Sequence, residues 1–395
     1  MGGRAWVAAV GLLLAAGCSA AEGGKEPAPA SATATGAHPH ATATAPAAEA
    51  APLRAGERFS TVTVGAAYAP EPPPGATDDY RCFLVDPGLT APAYLTGSQF
   101  LPSNAGLVHH AIFYRIDRSD VGEAQRLDRA EAGDGWTCFG GTGIGGSGPG
   151  RWLAGGGDWV AAWAPGARES VAPGGTGYLL RPGGRLVMQV HYNLLHATTG
   201  ATDRPGIRLR LRDGAAALTP LRTTLLPAPV ELPCAPGETG RLCDRETAVL
   251  DVIRRFGMPA GATVAGLTLL CSPTGRPVPG SVQSCDHRVT RASTLYALAG
   301  HMHLLGTKIR VELNPGTPGA RTLLDVPAYD FHDQRSVPLP APVRVKPADT
   351  YRVTCTHDAR QRRWTDELKN RPPRYVVWGD GTTDEMCLAI AIGSA

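Results

Sequence analysis

The chain has 395 residues, with 38 Lys and Arg against 35 Asp and Glu and a net charge of +3. That length suits two domains, and so balanced a charge argues against a nucleic-acid partner. Glycine and proline are abundant, 49 and 35 residues, which points to many turns between short strands and to a low-complexity segment.

Residues 1–18 read as an export signal. Arg4 supplies the positive start, and residues 5–16 form an apolar stretch too short to span a bilayer as a helix. Leu14-Ala15-Ala16-Gly17-Cys18 resembles a bacterial lipobox, with Cys18 the residue acylated after cleavage. The alternative is an ordinary secretory signal cut near Ala20 and Ala21. In both cases the mature chain leaves the cytoplasm. With a lipid on Cys18 it belongs to the cell envelope, at the outer membrane on its periplasmic or surface face, and touches the membrane only through the anchor. Residues 19–56 are Ala, Thr, Pro, Gly and Glu with almost no large apolar side chain, the composition of a disordered tether. His38 and His40 fall in that linker, where chance accounts for the pair better than a metal site does.

From residue 57 the strand pattern dominates. Runs at 106–116, 185–195, 207–212, 263–270, 294–313, 351–356 and 386–392 are β-branched or alternating, and Gly, Pro, Asp or Asn bounds most of them. The run 207–212 alternates apolar residues with arginine, as a half-exposed strand should. Helical periodicity is confined to 121–132 and 245–256. The Pro-rich stretch 218–236 marks a seam between one domain at 57–217 and a second at 218–395. The expected architecture is all-β, two antiparallel β-sandwich domains in tandem.

Nine cysteines are present. With Cys18 lipidated, the other eight are Cys82, Cys138, Cys234, Cys243, Cys271, Cys285, Cys355 and Cys387. An even number in an exported chain reads as disulfides, whose pairing spacing alone leaves open. No C-x-x-C occurs, which disfavours a thiolate zinc site.

The chemistry concentrates in histidines. In Ala299-Gly300-His301-Met302-His303-Leu304, residues two apart on a strand share a face, so His301 and His303 present two imidazoles together with Met302 behind them. Two neutral imidazoles are half of a transition-metal site, or a hydrogen-bonded pair. His109 and His110 are adjacent, so a regular strand points them to opposite faces, one to the core and one to the surface. They can meet at one metal only if the strand bulges. His191, in Val190-His191-Tyr192, lies on another strand of the same half and would complete a three-nitrogen set. Met386, in Asp384-Glu385-Met386-Cys387, offers the His301 and His303 pair a soft third ligand that suits Cu(I) better than zinc; otherwise it is core packing. His332 either lies near that pair or supports a corner of the fold. His357 reads as surface or hydrogen-bonded, His196 and His287 as loop residues, and Tyr192 and Tyr329 as supports behind the ligands or, better, as plain strand aromatics.

Taken together, Tyr80-Arg81-Cys82, His109-His110, Gln189-Val190-His191-Tyr192, His301-x-His303 and Asp384-Glu385-Met386-Cys387 resemble, in order, the motifs of the copper type II ascorbate-dependent monooxygenases. The resemblance spans about residues 57 to 395. It implies two jelly-roll-like domains with one copper each, two per chain. By position, His109, His110 and His191 match the ligands of the electron-transfer copper. His301, His303 and Met386 match those of the catalytic copper, which binds dioxygen and hydroxylates a C–H bond. The two coppers are expected to face each other across an open cleft, with ascorbate or another one-electron donor supplying the electrons. A Cys355–Cys387 disulfide is also implied. Cys234–Cys243 and Cys271–Cys285 are then short-range pairs, and Cys82–Cys138 is what remains.

The family's peptide-processing members bind a substrate carboxylate with an Arg, an Asn and a Tyr, and here those positions are Ala299, Leu388 and Ile390. The implied substrate is therefore a small or hydrophobic molecule and not a glycine-extended peptide. Asp384 and Glu385 read as a structural turn supporting the site. A rival reading is a non-catalytic copper-handling lipoprotein on the same scaffold. A carbohydrate-binding pair of sandwiches leaves the ordered histidines unexplained.

Overall fold

The computed structural model describes residues 49–74, 76–145, 158–164, 167–195 and 197–394. Cys18 and the export signal, His38, His40 and His196 lie outside them. Strand far outweighs helix among these residues, and almost all pairing is antiparallel. Among the described residues no helix is long and apolar enough to cross a membrane.

In the first half, a five-stranded sheet runs in the order Trp136–Thr137, Asp78–Val85, Arg185–Asn193, Val108–Ile116, Asp158–Trp163. It packs against Glu57–Thr63, Gly206–Asp213, Ala93–Leu101 and Thr176–Leu180 around a core of Phe83, Phe113, Met188, Leu209 and Leu211. In the second half, Val282–Arg288, Thr350–His357, Gly306–Leu313 and Arg321–Val326 make a four-stranded sheet. Facing it are Thr219–Pro227, Leu388–Ser394, Ser293–His301 and Val337–Val345, with Leu298, Ile309, Val311 and Val353 between the layers. These are β-sandwiches with alternating strands buried on the inner face. Thr219–Pro227 pairs antiparallel with Leu388–Ser394 and, for two residues, parallel with Thr176–Leu180. It thereby joins the two halves into one continuous sheet.

Helices form where their period was visible, at Arg118–Ala130 and Arg245–Phe256. The second starts at Asp244, whose carboxylate accepts from the Thr247 amide. One strand expectation fails. Residues 263–270 lie inside a helix, Met258–Cys271. Thr263, Val264 and Thr268 suggested a strand, but Gly257 and Pro259 start a helix, and Ala260, Val264 and Leu267 bury one face at helical spacing. The run 294–313 is also two strands, Ser293–His301 and Gly306–Leu313, in different sheets. Residues 302–305 carry the chain across, so His301 ends a strand and His303 lies in the crossing. His287 belongs to a strand, where its Nε2 bonds the Pro227 carbonyl at 2.7 Å. The tether is ordered sooner than its composition suggests: Arg210 donates to the carbonyls of Ala51 and Pro52 and forms buried ion pairs with Glu57 and Glu169.

Four disulfides close, Cys82–Cys138, Cys234–Cys243, Cys271–Cys285 and Cys355–Cys387, using every described cysteine.

Candidate metal centre

His109 and His110 both face inward because the strand bulges. In the pairing of Val108–Ile116 with Arg185–Asn193 the register shifts between Val108 and His110, so His109 is the extra residue. His191 sits directly opposite His110. The result departs from one core and one surface histidine: all three rings are buried. Their Nδ1 atoms form a triangle with sides of 3.1, 3.1 and 3.4 Å, while the ring centroids stand 4.7 to 5.1 Å apart. The nitrogens therefore converge on one point. The circle through them has a radius of about 1.9 Å, close to a metal–imidazole bond of about 2.0 Å. Three lone pairs converging this way fit a metal ion and fit mutual hydrogen bonding badly.

Burial first, and the neighbouring imidazoles second, hold His109 and His110 well below the usual histidine pKa, so both are neutral as ligands must be. The tautomer of His191 is set from behind. Its Nε2 donates to Asp78 at 2.8 Å, which leaves Nδ1 as the donor atom toward the triangle. Burial alone would raise the Asp78 carboxyl. The hydrogen bonds from His191, Thr382 and Asn193 outweigh it and hold the carboxyl well below the ordinary range. Tyr80 stacks on the His191 ring at 4.1 Å. Asp78→Asn is expected to weaken copper at the three histidines by about 10- to 100-fold, because an amide holds the His191 tautomer poorly. A chelator competition titration measures this.

In the second half, His301 and His303 lie 5.1 Å apart by ring centroid. His301 Nδ1 donates to Gln334 Oε1 at 2.5 Å, which leaves Nε2 with the lone pair. Burial pulls the His301 pKa down to about 3 and lowers that of His303. Both ring nitrogens of His303 are buried without a hydrogen-bond partner among the described residues. A native structure seldom leaves both so, and a metal ion would satisfy one of them. Met386 precedes the strand Leu388–Ser394, whose Leu388 pairs with His301, so Met386 runs alongside the His303 crossing. Met386 and His301 line the same cavity. Glu385 ties the segments together. Its buried carboxylate accepts from the amides of His303, Leu305 and Met386 at 3.0, 2.7 and 3.0 Å and lies 3.3 Å from His357 Nε2. His357 is thus fully buried and paired, not a surface residue. Tyr329 brackets Met302 from outside, its hydroxyl bonding both the Met302 amide and carbonyl.

Among the described residues no open cleft separates the two donor sets, which lie close together. His110 lies 5.9 Å from His301 and His109 lies 6.5 Å from His303, centroid to centroid. Phe331 stacks on His109 at 4.6 Å and meets His303 edge-on. His332, beside it, is exposed and meets the Phe331 ring edge-on at 5.2 Å. The halves are latched by the loop 379–384. Thr382 donates to Asp78 at 2.6 Å, Asn193 donates to Thr382, and Tyr80 donates to the Asp380 carbonyl at 2.6 Å.

Residues 281–391 match the copper type II ascorbate-dependent monooxygenase C-terminal domain. The matched stretch holds His301, His303, Met386 and the Cys355–Cys387 disulfide, and the first-half histidines lie outside it. No curated protein matches the chain. Solved structures resemble it only weakly. A Paenibacillus xanthan lyase is 11% identical, with 85% of this chain and 25% of that chain covered and a TM-score of 0.19. An infectious bursal disease virus VP2 subviral particle is 9% identical, with 86% and 71% covered and a TM-score of 0.17. The chain thus spans a quarter of the lyase, and neither likeness carries an argument.

Several residues around the two donor sets have no local signature. Asp78, Gln334, Phe331 and Asp380 acquire their roles from residues far away in sequence.

Proposed function

We propose that the chain is a copper-dependent monooxygenase that hydroxylates a C–H bond of a small, largely apolar substrate, with dioxygen and ascorbate or another one-electron donor. The observation that carries the reading is the pairing of two donor sets, three convergent imidazoles and the His301, His303 and Met386 group, beside one large cavity. The family is copper- and ascorbate-dependent. Copper, when bound, supplies one-electron redox change and an open coordination position for oxygen.

The chain's own residues do the rest. The cavity has a volume of about 800 Å³ and reaches His110, His301 and Met386. Ala299, Leu388 and Ile390, together with Trp159 and Phe256, give it an apolar lining. Such walls hold a hydrocarbon or aromatic body against Met386 and keep water from the reacting carbon. Asp380, also on the lining, has its carboxyl pushed up to about 7, by burial and by the Asp384 charge. In its protonated form it can donate a hydrogen bond to a substrate oxygen. Gln334 and Glu385 fix the second donor set, and Asp78 and Tyr80 fix the first.

Export and anchoring through Cys18 belong to the same proposal, and the disulfides suit an oxidising compartment. A copper-handling protein would leave the cavity without a purpose. Reduced, copper-loaded protein is expected to hold two coppers per chain with a copper–sulfur component in X-ray absorption. It is also expected to consume oxygen in step with a hydroxylated product. One copper, or nitrogen-only ligation, would overturn the assignment.

A further inference from the structure

A second, smaller cavity of about 180 Å³ lies behind the first donor set and shares no lining residue with the substrate cavity. Five arginines line it, Arg254, Arg255, Arg362, Arg371 and Arg374, against two carboxylates, Asp78 and Asp251. Its inner wall is Thr77, Asp78 and Thr383, and Asp78 is the residue that holds His191. The cavity therefore ends one hydrogen bond from a candidate ligand.

The arginines outnumber the charges that hold them. Arg254, Arg255 and Arg374 all pair with the single carboxylate of Asp251. Arg255 and Arg374 also share Asp384, at 2.6 and 3.5 Å. Arg362 is matched by Glu238. Arg371 meets one protein oxygen among the described residues, the Glu367 carbonyl. Arg255, Arg362 and Arg374 are largely buried, with side-chain exposures of 7%, 6% and 14%, whereas Arg254 is 68% exposed at the rim. A rigid wall of guanidinium groups with two less engaged ones at the opening is suited to a small planar oxyanion. The size admits such an anion and excludes a peptide.

We propose that this pocket docks the anionic electron donor, an ascorbate-type enolate, behind His191. This rests on reading the three histidines as the electron-receiving copper site. Donor and substrate then occupy separate cavities with no shared lining residue and do not compete. The salt dependence of donor binding should be that of a charged ligand entering a positive site.

The test is calorimetric titration of ascorbate into full-length, copper-loaded protein that has been pre-reduced and kept anaerobic, so that nothing turns over. Wild type is expected to bind one ascorbate, more weakly as salt is raised. Arg254→Ala with Arg371→Ala should weaken binding by at least about tenfold, and Arg371→Lys should restore part of it to an Arg371→Ala protein. Both rim residues are at least partly exposed, so copper content should stay at the wild-type value. Unchanged ascorbate binding in the double variant, or no binding by wild type at millimolar ascorbate, overturns the pocket and leaves the copper reading intact. Wild-type protein that takes up no copper at the three histidines instead overturns the reading beneath it.

Discussion

Glu385→Ala is expected to lower unfolding stability by about 3–5 kcal/mol and to strip metal from the second donor set. Its carboxylate is fully buried and receives three backbone amides and the His357 ring. Burial raises this carboxyl, but His357 and the amides more than offset that, so its pKa stays below the usual value and it is ionised. Removing it leaves three amides without an acceptor in a dry interior, where each unmade bond is costly, and leaves the His357 ring only the Met386 carbonyl at 3.3 Å. It also frees the two segments that carry His303 and Met386. Glu385→Gln keeps the shape but offers one acceptor oxygen in place of two, so its cost should be smaller, about 1–3 kcal/mol. Urea unfolding with the disulfides intact gives the stability, and metal analysis gives the occupancy. If Ala at 385 costs less than about 1 kcal/mol, the carboxylate is not what ties these segments together.

Met386→Ile should abolish ascorbate-driven hydroxylation while the protein stays folded. The swap nearly conserves volume at a partly buried position and should cost less than about 1.5 kcal/mol. What it removes is the sulfur, the soft donor that favours reduced copper. The copper–sulfur component should vanish from the X-ray absorption of reduced protein. Copper at His109, His110 and His191 should remain, since those residues come from other strands. Product formation at the wild-type rate would remove Met386 from the site.

Much of the architecture was written locally. The helix Arg245–Phe256 and the strands around Val108–Ile116 and Arg185–Asn193 were read from period and turn residues, because each is stabilised by its own pattern of inward side chains. The helix Met258–Cys271 was missed because its threonines and valine look strand-like, and the Gly257 and Pro259 start decides against them. The run 294–313 shows the same limit. Its apolar content is continuous, and only the demand of two facing sheets breaks it at 302–305.

The six candidate donors could be named from the sequence because His and Met carry their chemistry wherever they are placed. Their arrangement could not. Whether His109 joins His110 depends on a bulge set by the register of the neighbouring strand. Whether the two donor sets stand apart or touch depends on bonds such as Asp78 to Thr382, made between residues some three hundred positions apart. Chain connectivity contributes almost nothing to such contacts, so no local pattern announces them. Sequence by itself determined the residue types, the strand-rich class and the even set of cysteines available for disulfides. Tertiary structure alone decided the closure of the two halves, the polar supports behind each histidine and the two cavities, because those are properties of surfaces that exist only once the sheets have packed.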